Sequence, residues 1–213
     1  MKFDLLTACS VNGALAAAPG GVSTDLVATL ATPPAIMQRL YQVRRRYDAV
    51  AVGTGTVVID DPSLTSHVAA GGRAVRVTLD RTGRIPPGAR FLDGSARTLV
   101  GVVASTPRRY LDLLAARGVE AVVCGEDRID LAVFAAALAE RGLRRVVVEG
   151  GGRLNRELLR LGLVDLIQLL LLPAALDGRA ANLFAGPGEP VRLRLLECEP
   201  VGDYVFVTYR PVR

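Results

Sequence analysis

Residues 146–165 read VVVEGGGRLNRELLRLGLVD, and this stretch decides which fold the sequence predicts. The β-branched run Val146 to Val148 is typical of a buried strand. Glycines 150–152 indicate a tight turn, and leucines spaced at i, i+4 and i+7 from Leu154 indicate one face of a helix. Because glycine has no side chain, the N–H groups that open this helix can approach an anionic group such as a dinucleotide pyrophosphate. The alternative is a plain strand-to-helix connection, since the turn is neither a GxGxxG nor a Walker A sequence.

A second glycine segment lies at residues 44–67, RRRYDAVAVGTGTVVIDDPSLTSH. It predicts a strand from Asp48 to Val52, a glycine-containing loop from Gly53 to Thr56, and then an acidic pair, Asp60 and Asp61. Ligands of α/β proteins bind at the carboxyl ends of strands. We therefore expect the two glycine segments to line one cleft.

Strands that alternate with helices along the chain predict an α/β sheet. Nine strands are expected near residues 3–9, 48–53, 74–79, 97–104, 119–124, 144–149, 164–172, 191–199 and 202–209. The last two are separated by a turn at Gly202, which predicts an antiparallel edge hairpin. Three helices are expected. The first begins at Thr32, an N-cap followed by Pro33, and reaches about Arg46. The second runs from Pro107 to about Arg117, and the third from Asp130, also an N-cap, to about Arg141.

Composition predicts one domain, residues 1–213. Half of the residues are hydrophobic, which is enough for a substantial core, and no Pro/Ser-rich linker divides the chain. The formal charge of +5 suits nucleic acid or phosphorylated small molecules. Because the arginines are scattered and Trp is absent, we expect no nucleic-acid partner.

The cysteines and apolar stretches indicate a cytoplasmic protein. Cys9, Cys124 and Cys198 are widely spaced, without a CxxC pair or a histidine partner, so we expect buried thiols and no metal site. The amino-terminal segment is too short an apolar run for a signal peptide, and Leu169 to Leu176 is too short for a membrane span. These features predict no membrane association.

Together, the two glycine segments resemble the reductase of riboflavin biosynthesis. This is the C-terminal domain of a bifunctional bacterial deaminase/reductase, with stand-alone archaeal and fungal relatives. Residues 3–16, 73–92 and 202–211 are also similar to segments of that family. The resemblance implies a dihydrofolate-reductase-like fold: a mixed, mostly parallel central sheet flanked by helices, with an antiparallel C-terminal edge hairpin. It also implies a homodimer, for which the apolar strand from Leu166 to Leu172 is a candidate contact.

The same resemblance implies hydride transfer from NADPH to C1′ of a ribosylamino-pyrimidine 5′-phosphate, which gives the ribitylamino product. Opening the ribose ring requires a proton at the sugar oxygen, and Asp60 is the nearest candidate to donate or relay it. Glu149, at the position where the family hydrogen-bonds the substrate, is the second catalytic candidate. The implied cofactor contacts are Gly53, Thr56, Asp60, Arg81, Gly150, Gly151, Gly152, Arg153, Leu154 and Asn155. Arg81 would favour NADPH over NADH by pairing with the 2′-phosphate.

The implied substrate contacts are Arg44, Leu64, His67 and Glu149. Structural alternatives stay open for these positions and for the cofactor contacts. Asp60 also suits an Asx-type turn, and Glu149 suits a carboxylate that only caps the following turn. Arg44 suits the solvated last turn of a helix. Leu64 suits an ordinary core position, and Arg81 an exposed turn.

Several residues depart from the family pattern. His67 stands where bacterial members carry an arginine for the substrate phosphate, and a histidine cannot form the same bidentate fork. Asn12 stands where aspartate is usual, Leu166 where an acidic residue is common, and residues 13–35 are difficult to align. The alternatives are therefore a specialised reductase of another pyrimidine, a pterin or another heterocycle, or a non-catalytic nucleotide-binding protein.

Overall fold

The computed structural model describes residues 1–16, 18, 21–65, 75–176 and 181–212. The chain divides into two compact units, which are described separately. The first unit comprises Met1 and Arg44–Val147, and the second comprises Lys2–Val43 and Val148–Arg213. The assignment of residues 1–213 to one domain stays a prediction.

Nine strands and six α-helices occur in the described part of the chain. The strands are β1 (Phe3–Ser10), β2 (Ala49–Ala51), β3 (Val75–Leu79), β4 (Thr98–Val102), β5 (Glu120–Val123), β6 (Val146–Val148), β7 (Val164–Leu172), β8 (Leu193–Val201) and β9 (Tyr204–Pro211). The helices are α1 (Ser23–Thr29), α2 (Pro34–Arg44), α3 (Thr54–Asp60), α4 (Arg108–Ala116), α5 (Leu131–Glu140) and α6 (Gly152–Arg160), and Arg90–Leu92 forms a 3-10 turn. All nine predicted strands are confirmed within a few residues.

The first unit contains a parallel sheet in the order β5-β4-β3-β2. Its central strands are buried on both faces, and Val77, Leu99 and Val100 have no exposed surface. This pattern is typical of parallel strands covered by helices on each side. Gly101 of β4 shows how tightly the layers pack, because a Cβ built there would lie 2.6 Å from Leu79 and 3.0 Å from Phe134 of α5.

The second unit combines parallel and antiparallel pairing. β1 pairs with β7 in parallel, whereas β9 pairs antiparallel with both β7 and the edge strand β8. The hairpin between β8 and β9 turns at Gly202, whose φ of +59° favours glycine. The mixed, mostly parallel architecture and the C-terminal antiparallel hairpin are therefore confirmed.

Strand β7 was the candidate dimer contact. Its backbone is paired on both sides, so a second copy would have to contact its half-buried side chains, such as Leu166 and Leu169, rather than its edge. The homodimer stays a prediction. Within the described residues, no helix is long and apolar enough to cross a membrane.

Four local predictions were wrong. Gly53–Thr56 is not a loop, because α3 begins at Thr54. Thr32 does not cap α2: the helix begins at Pro34, and the buried Thr32 hydroxyl has no partner among the described residues. Leu161, the third leucine of the predicted helical face, follows the last residue of α6 and is 43 % exposed, whereas Leu158 of the same face is buried as expected. Cys198 lies exposed on the edge strand, whereas Cys9 and Cys124 are buried as expected.

The predicted cap at Asp130 is confirmed. Its carboxylate accepts hydrogen bonds from the amides of Ala132 (2.8 Å) and Val133 (3.1 Å), which satisfies two of the donors that open α5.

We expect Asp130→Ala to lower the free energy of unfolding by about 1 kcal/mol, because two helix donors lose their acceptor. Urea unfolding followed by circular dichroism measures this loss. The matched control is Glu126→Ala, which removes an exposed carboxylate just before the same helix. Equal losses in the two variants would contradict the capping role.

Candidate functional site

The first turn of α3 lies beside the carboxyl end of β3. The Thr54 hydroxyl donates a hydrogen bond to the carbonyl of Leu79, and the Thr78 hydroxyl donates to the carbonyl of Val52 at 2.8 Å. These bonds place Gly53 and Thr56, both predicted cofactor contacts, next to the chain that leads to Arg81. Gly55 lies between them and is open: a Cβ built there meets no atom within 4 Å.

Arg81 belongs to a rim formed by the segments that follow β3, β4 and β5. Its guanidinium Nη1 donates to the carbonyl of Asp127 at 3.2 Å, and the Thr106 hydroxyl donates to the carbonyl of Arg81 at 2.9 Å. The Arg81 side chain is nevertheless exposed. It is therefore held at the carboxyl edge of the sheet, which is where ligands of α/β sheets bind.

Asp60 is the last residue of α3, and two residues of the chain that follows it have unusual backbone angles. Asp61 and Leu64 have φ of +39° and +50°, in the left-handed region that costs a non-glycine residue on the order of 1 kcal/mol. The Asp61 carboxylate accepts from the backbone amide of Arg90 at 2.8 Å, so it contacts a distant segment rather than its own turn. Leu64 is buried, in agreement with either of its two predicted roles.

A fully buried arginine supports this loop. Arg76 of β3 has no exposed surface, and its Nη1 donates to the carbonyls of Ser63 (3.2 Å) and Arg90 (3.0 Å). Its carboxylate partner is Asp93, at 2.9 Å. Sequence analysis did not single out Arg76, because a strand arginine is normally exposed and these acceptors are mostly backbone carbonyls.

The glycine turn of the second unit opens α6. Gly151 is the N-cap, with φ of +101°, and because glycine has no side chain the N-cap residue makes no capping hydrogen bond. The opening turn of a helix with such an N-cap suits an anionic group. Because φ is positive at Gly151, any side chain there would strain the backbone even without a ligand.

Gly152 has a structural role that the sequence did not reveal. A Cβ built there would lie 2.0 Å from the carbonyl oxygen of Asn182, and the Ala185 amide donates to the Gly152 carbonyl at 3.1 Å. Asn155 contributes to the same attachment, because its Nδ2 donates to the carbonyl of Leu183 at 3.0 Å. Both residues were predicted as cofactor contacts, and in this structure they hold residues 182–185 against α6.

The same segment is attached to the turn after β1. The Leu183 amide donates to the Gly13 carbonyl at 2.8 Å. Asn12 binds the backbone of Leu176 twice: its Nδ2 donates to the carbonyl at 2.7 Å, and its Oδ1 accepts from the amide at 3.1 Å. An aspartate, which the family resemblance leads one to expect at this position, has no donor for the Leu176 carbonyl. Asparagine is therefore needed for both hydrogen bonds to the Leu176 backbone.

The remaining predicted residues are placed as follows. Glu149 is half-buried directly after β6, and Arg44 is the half-buried last residue of α2. Arg153 and Leu154 lie on the first turn of α6, exposed and half-buried respectively. His67 lies outside the described residues. Among the described residues, no three His, Cys, Asp or Glu side chains are grouped as metal ligands would be.

Comparison with known families decides the assignment. The family model of the RibD C-terminal domain matches residues 5–207. The chain belongs to this family. The match includes both glycine segments and the acidic residues that follow α3 and β6.

Individual relatives agree. The chain is 37% identical over 182 residues to the 2,5-diamino-6-ribosylamino-4(3H)-pyrimidinone 5′-phosphate reductase of Methanothermobacter thermautotrophicus, an alignment that covers 81% of this chain and 84% of the relative. It is 30% identical over 183 residues to the reductase of the same name from Aquifex aeolicus, covering 85% and 81% of the two chains.

Solved structures share the fold. A pyrimidine reductase-like protein of Corynebacterium diphtheriae superposes with a TM-score of 0.82 at 21% identity, covering 100% of this chain and 92% of that chain. The riboflavin biosynthesis reductase of Saccharomyces cerevisiae gives a TM-score of 0.74 at 19% identity, covering 100% and 90%. These similarities confirm the dihydrofolate-reductase-like fold of the RibD reductases.

Two glycines of this RibD-family chain provide a matched pair of substitutions. Gly152→Ala places a methyl group against a backbone carbonyl, so we expect it to lower the free energy of unfolding by about 1–3 kcal/mol. Gly55→Ala enters open space in a helix, so we expect an unchanged or slightly higher stability, by up to about 1 kcal/mol. Thermal and urea unfolding measure both. A fully stable Gly152→Ala protein would show that residues 182–185 do not pack against α6.

The ion pair of Asp93 predicts an acid-sensitive contribution to stability. Burial raises the pKa of Asp93, but hydrogen bonds from Ser95 and Arg76 and the charge of Arg76 outweigh it and lower the pKa from 3.8 to about 2. A lowered native pKa means that the stabilisation is present above pH 3.8 and is lost as the pH falls through about 2.

We therefore expect the difference in unfolding free energy between the parent and Asp93→Asn to be largest near neutrality and to shrink between pH 3.8 and 2. Because Asp93 is 39% exposed, the difference is reduced by solvent screening. Urea unfolding across this pH range measures it. A difference that stays constant down to pH 2 would contradict the pairing.

Proposed function

We propose that this chain is the NADPH-dependent reductase of 2,5-diamino-6-ribosylamino-4(3H)-pyrimidinone 5′-phosphate. The reaction transfers a hydride to C1′ of the ribosyl group and gives the ribitylamino product in riboflavin biosynthesis. The observation that carries the proposal is the 37% identity to an archaeal reductase of that name, over most of both chains. The glycine turns and acidic residues described above support it.

The residues present fit a dinucleotide. The first-turn amides of α6, which receive no capping bond from the N-cap Gly151, are proposed to bind the pyrophosphate, and Arg153 adds a cation on the same turn. Thr56 and Asp60 are proposed to contact the nicotinamide end, with Gly53 beside them, and Arg81 the 2′-phosphate. When bound, NADPH supplies the hydride, so the protein itself provides binding, orientation and a proton. Gly152 and Asn155 support the glycine turn through their contacts with residues 182–185.

The proposed proton donor or relay is Asp60. Ring opening turns the sugar oxygen into a hydroxyl, which needs one proton, and a positioned carboxyl group can supply it. Asp60 sits at the end of α3, and the Asp61–Arg90 hydrogen bonds and the buried Arg76 hold the chain that follows. This attachment keeps the end of α3 in one orientation, as general acid catalysis requires.

The proposed substrate contacts are Glu149, Leu64, Arg44 and His67. Glu149 would accept hydrogen bonds from the substrate at the end of β6, and Leu64 would contact the pyrimidine. Arg44 is suited to a phosphate, because its guanidinium can form two parallel hydrogen bonds with phosphate oxygens. His67 is proposed to face the same phosphate with a partial charge, in place of the arginine that the family resemblance implies.

The test of the proposed function is oxidation of NADPH by the purified chain with the ribosylamino-pyrimidine 5′-phosphate. We expect turnover with this compound, a weaker response to its dephosphorylated form, and no competition by antifolates. NADPH binding without turnover would support the non-catalytic alternative. Turnover only with a pterin, or inhibition by antifolates, would support the alternative reductase.

Asp60→Asn tests the proton-transfer role. This change keeps the shape of the side chain and removes its ionisable proton, so we expect kcat to fall by about 100-fold or more while the thermal midpoint is unchanged. The same substitution at Asp112, an exposed residue of α4, is the control and should leave kcat unaltered. A parental kcat in Asp60→Asn would remove Asp60 from the chemistry.

A further inference from the structure

One charged side chain of the first unit is buried without lying among the residues proposed to bind ligands. Arg76 has no exposed surface although it sits in the middle of the parallel sheet. Burying a guanidinium is costly unless every part of it is paired. Its partners therefore indicate what the residue does for the fold.

The guanidinium joins several segments of chain. Its Nε donates to the Thr98 hydroxyl of β4 at 2.9 Å, and its Nη2 donates to the Ala96 carbonyl at 3.2 Å. Its Nη1 reaches Asp93 at 2.9 Å, the Arg90 carbonyl at 3.0 Å and the Ser63 carbonyl at 3.2 Å. The residue thus ties the loop after α3 to the segment that connects β3 and β4.

The Ser63 carbonyl lies in the most constrained part of this loop. It falls between Asp61 and Leu64, the two residues with left-handed backbone angles. Such angles persist in non-glycine residues only where the surroundings hold them. Arg90 holds one side, through its amide and its Nε at 2.8 Å from Asp61 atoms, but its side chain is 60% exposed. Arg76 holds the other side from the dry interior, where a hydrogen bond is stronger.

A lysine at position 76 cannot make the hydrogen bonds that Arg76 makes. A guanidinium presents five donors in a rigid plane, whereas an ammonium group is a single point. Arg76 uses all three guanidinium nitrogens, which bond to the loop after α3 and to the stretch from Arg90 to Thr98, so an ammonium at the end of a flexible chain can satisfy only part of the set. Arg76→Lys therefore keeps the charge while removing the connection between segments.

We infer that Arg76 is a positioning residue of the reductase: through Ser63 it fixes the Asp61–Leu64 loop, and thereby sets the orientation of Asp60 and Leu64 toward the substrate. Arg76 does not itself touch the reacting atoms. This inference rests on the proposed function for its catalytic consequence, but its structural part, the holding of the loop, stands independently of turnover.

The inference predicts a selective loss in Arg76→Lys. A misplacement of catalytic groups by about 1 Å costs on the order of 100-fold in rate, so we expect kcat/KM for the pyrimidine to fall by about 10- to 100-fold. The Kd for NADPH should change by a much smaller factor, because Asp60 is one of ten predicted cofactor contacts and Arg76 makes no hydrogen bond to Gly53, Thr56 or Arg81. A general loss of stability would not separate these two quantities in this way.

The experiment combines kinetics with hydrogen–deuterium exchange on the intact chain. Faster exchange is expected in peptides covering residues 61–65 of Arg76→Lys, together with the loss in kcat/KM. The control is Leu138→Ala, which removes a fully buried side chain of α5 that makes no hydrogen bond to the loop after α3. It should lower the thermal midpoint while leaving kcat/KM and the exchange of residues 61–65 at parental values below that midpoint.

Two results for Arg76→Lys would overturn the inference. One is parental exchange in residues 61–65, and the other is an equal loss of kcat/KM in this variant and the control. If Arg76→Lys does not fold, Asp93→Asn replaces it, and it should give the same pattern with a smaller change; parental exchange there would also overturn the inference. If the parent chain shows no turnover, the proposed function fails, whereas the exchange experiment still decides whether Arg76 holds the loop.

Discussion

The hydrogen bonds of one buried guanidinium organise the first unit. Arg76 occupies the centre of the parallel sheet, where an unpaired charge would be strongly destabilising. The chain is consequently arranged so that the segments around it turn carbonyls inward, at Ser63, Arg90 and Ala96. Two left-handed residues, Asp61 and Leu64, are part of the same arrangement. The loop that follows α3 therefore owes its shape to a requirement of the core.

A different constraint acts in the second unit, namely close approach of backbone to backbone. Residues 182–185 pass so near to Gly152 that only glycine leaves room for them. Amide side chains then hold the approaching segments, Asn155 from α6 and Asn12 from the turn after β1. The glycine turn is thus shaped on one side by the protein itself, and its N-cap residue, Gly151, makes no side-chain capping bond to the helix that follows.

The sequence predicted the elements whose signals are local. Val146–Val148 and the hairpin at Gly202 depend on β-branched runs and a turn residue, and the Asp130 cap depends on contacts two and three residues away. Helix α3 was missed because Gly55 and β-branched residues have low helix propensity, and tertiary contacts such as Thr54 to Leu79 override that preference.

The candidate site was predicted only in part, because some of its features depend on contacts between residues far apart in sequence. Family resemblance predicted Asp60 and Glu149 as catalytic candidates, of which Asp60 is the last residue of α3 and Glu149 directly follows β6. The roles of Arg76 and Gly152 depend on atoms far away in sequence, such as the Asn182 carbonyl, and no local pattern contains them. Family resemblance predicted Asn155 as a cofactor contact, and that role stays a prediction; the hydrogen bond from its amide to the Leu183 carbonyl, 28 residues away, is a contact that no local pattern indicates.

The central claim, that this chain delivers a hydride to C1′ of a ribosylamino-pyrimidine phosphate, is tested most directly by isotopic labelling. The purified chain would be incubated with this substrate and NADPH deuterated at the transferable position of the nicotinamide, and the product examined by mass spectrometry and NMR. The account predicts a single deuterium on C1′ of the ribityl chain. Product without deuterium at C1′, or deuterium transferred to the heterocyclic ring instead, would contradict it.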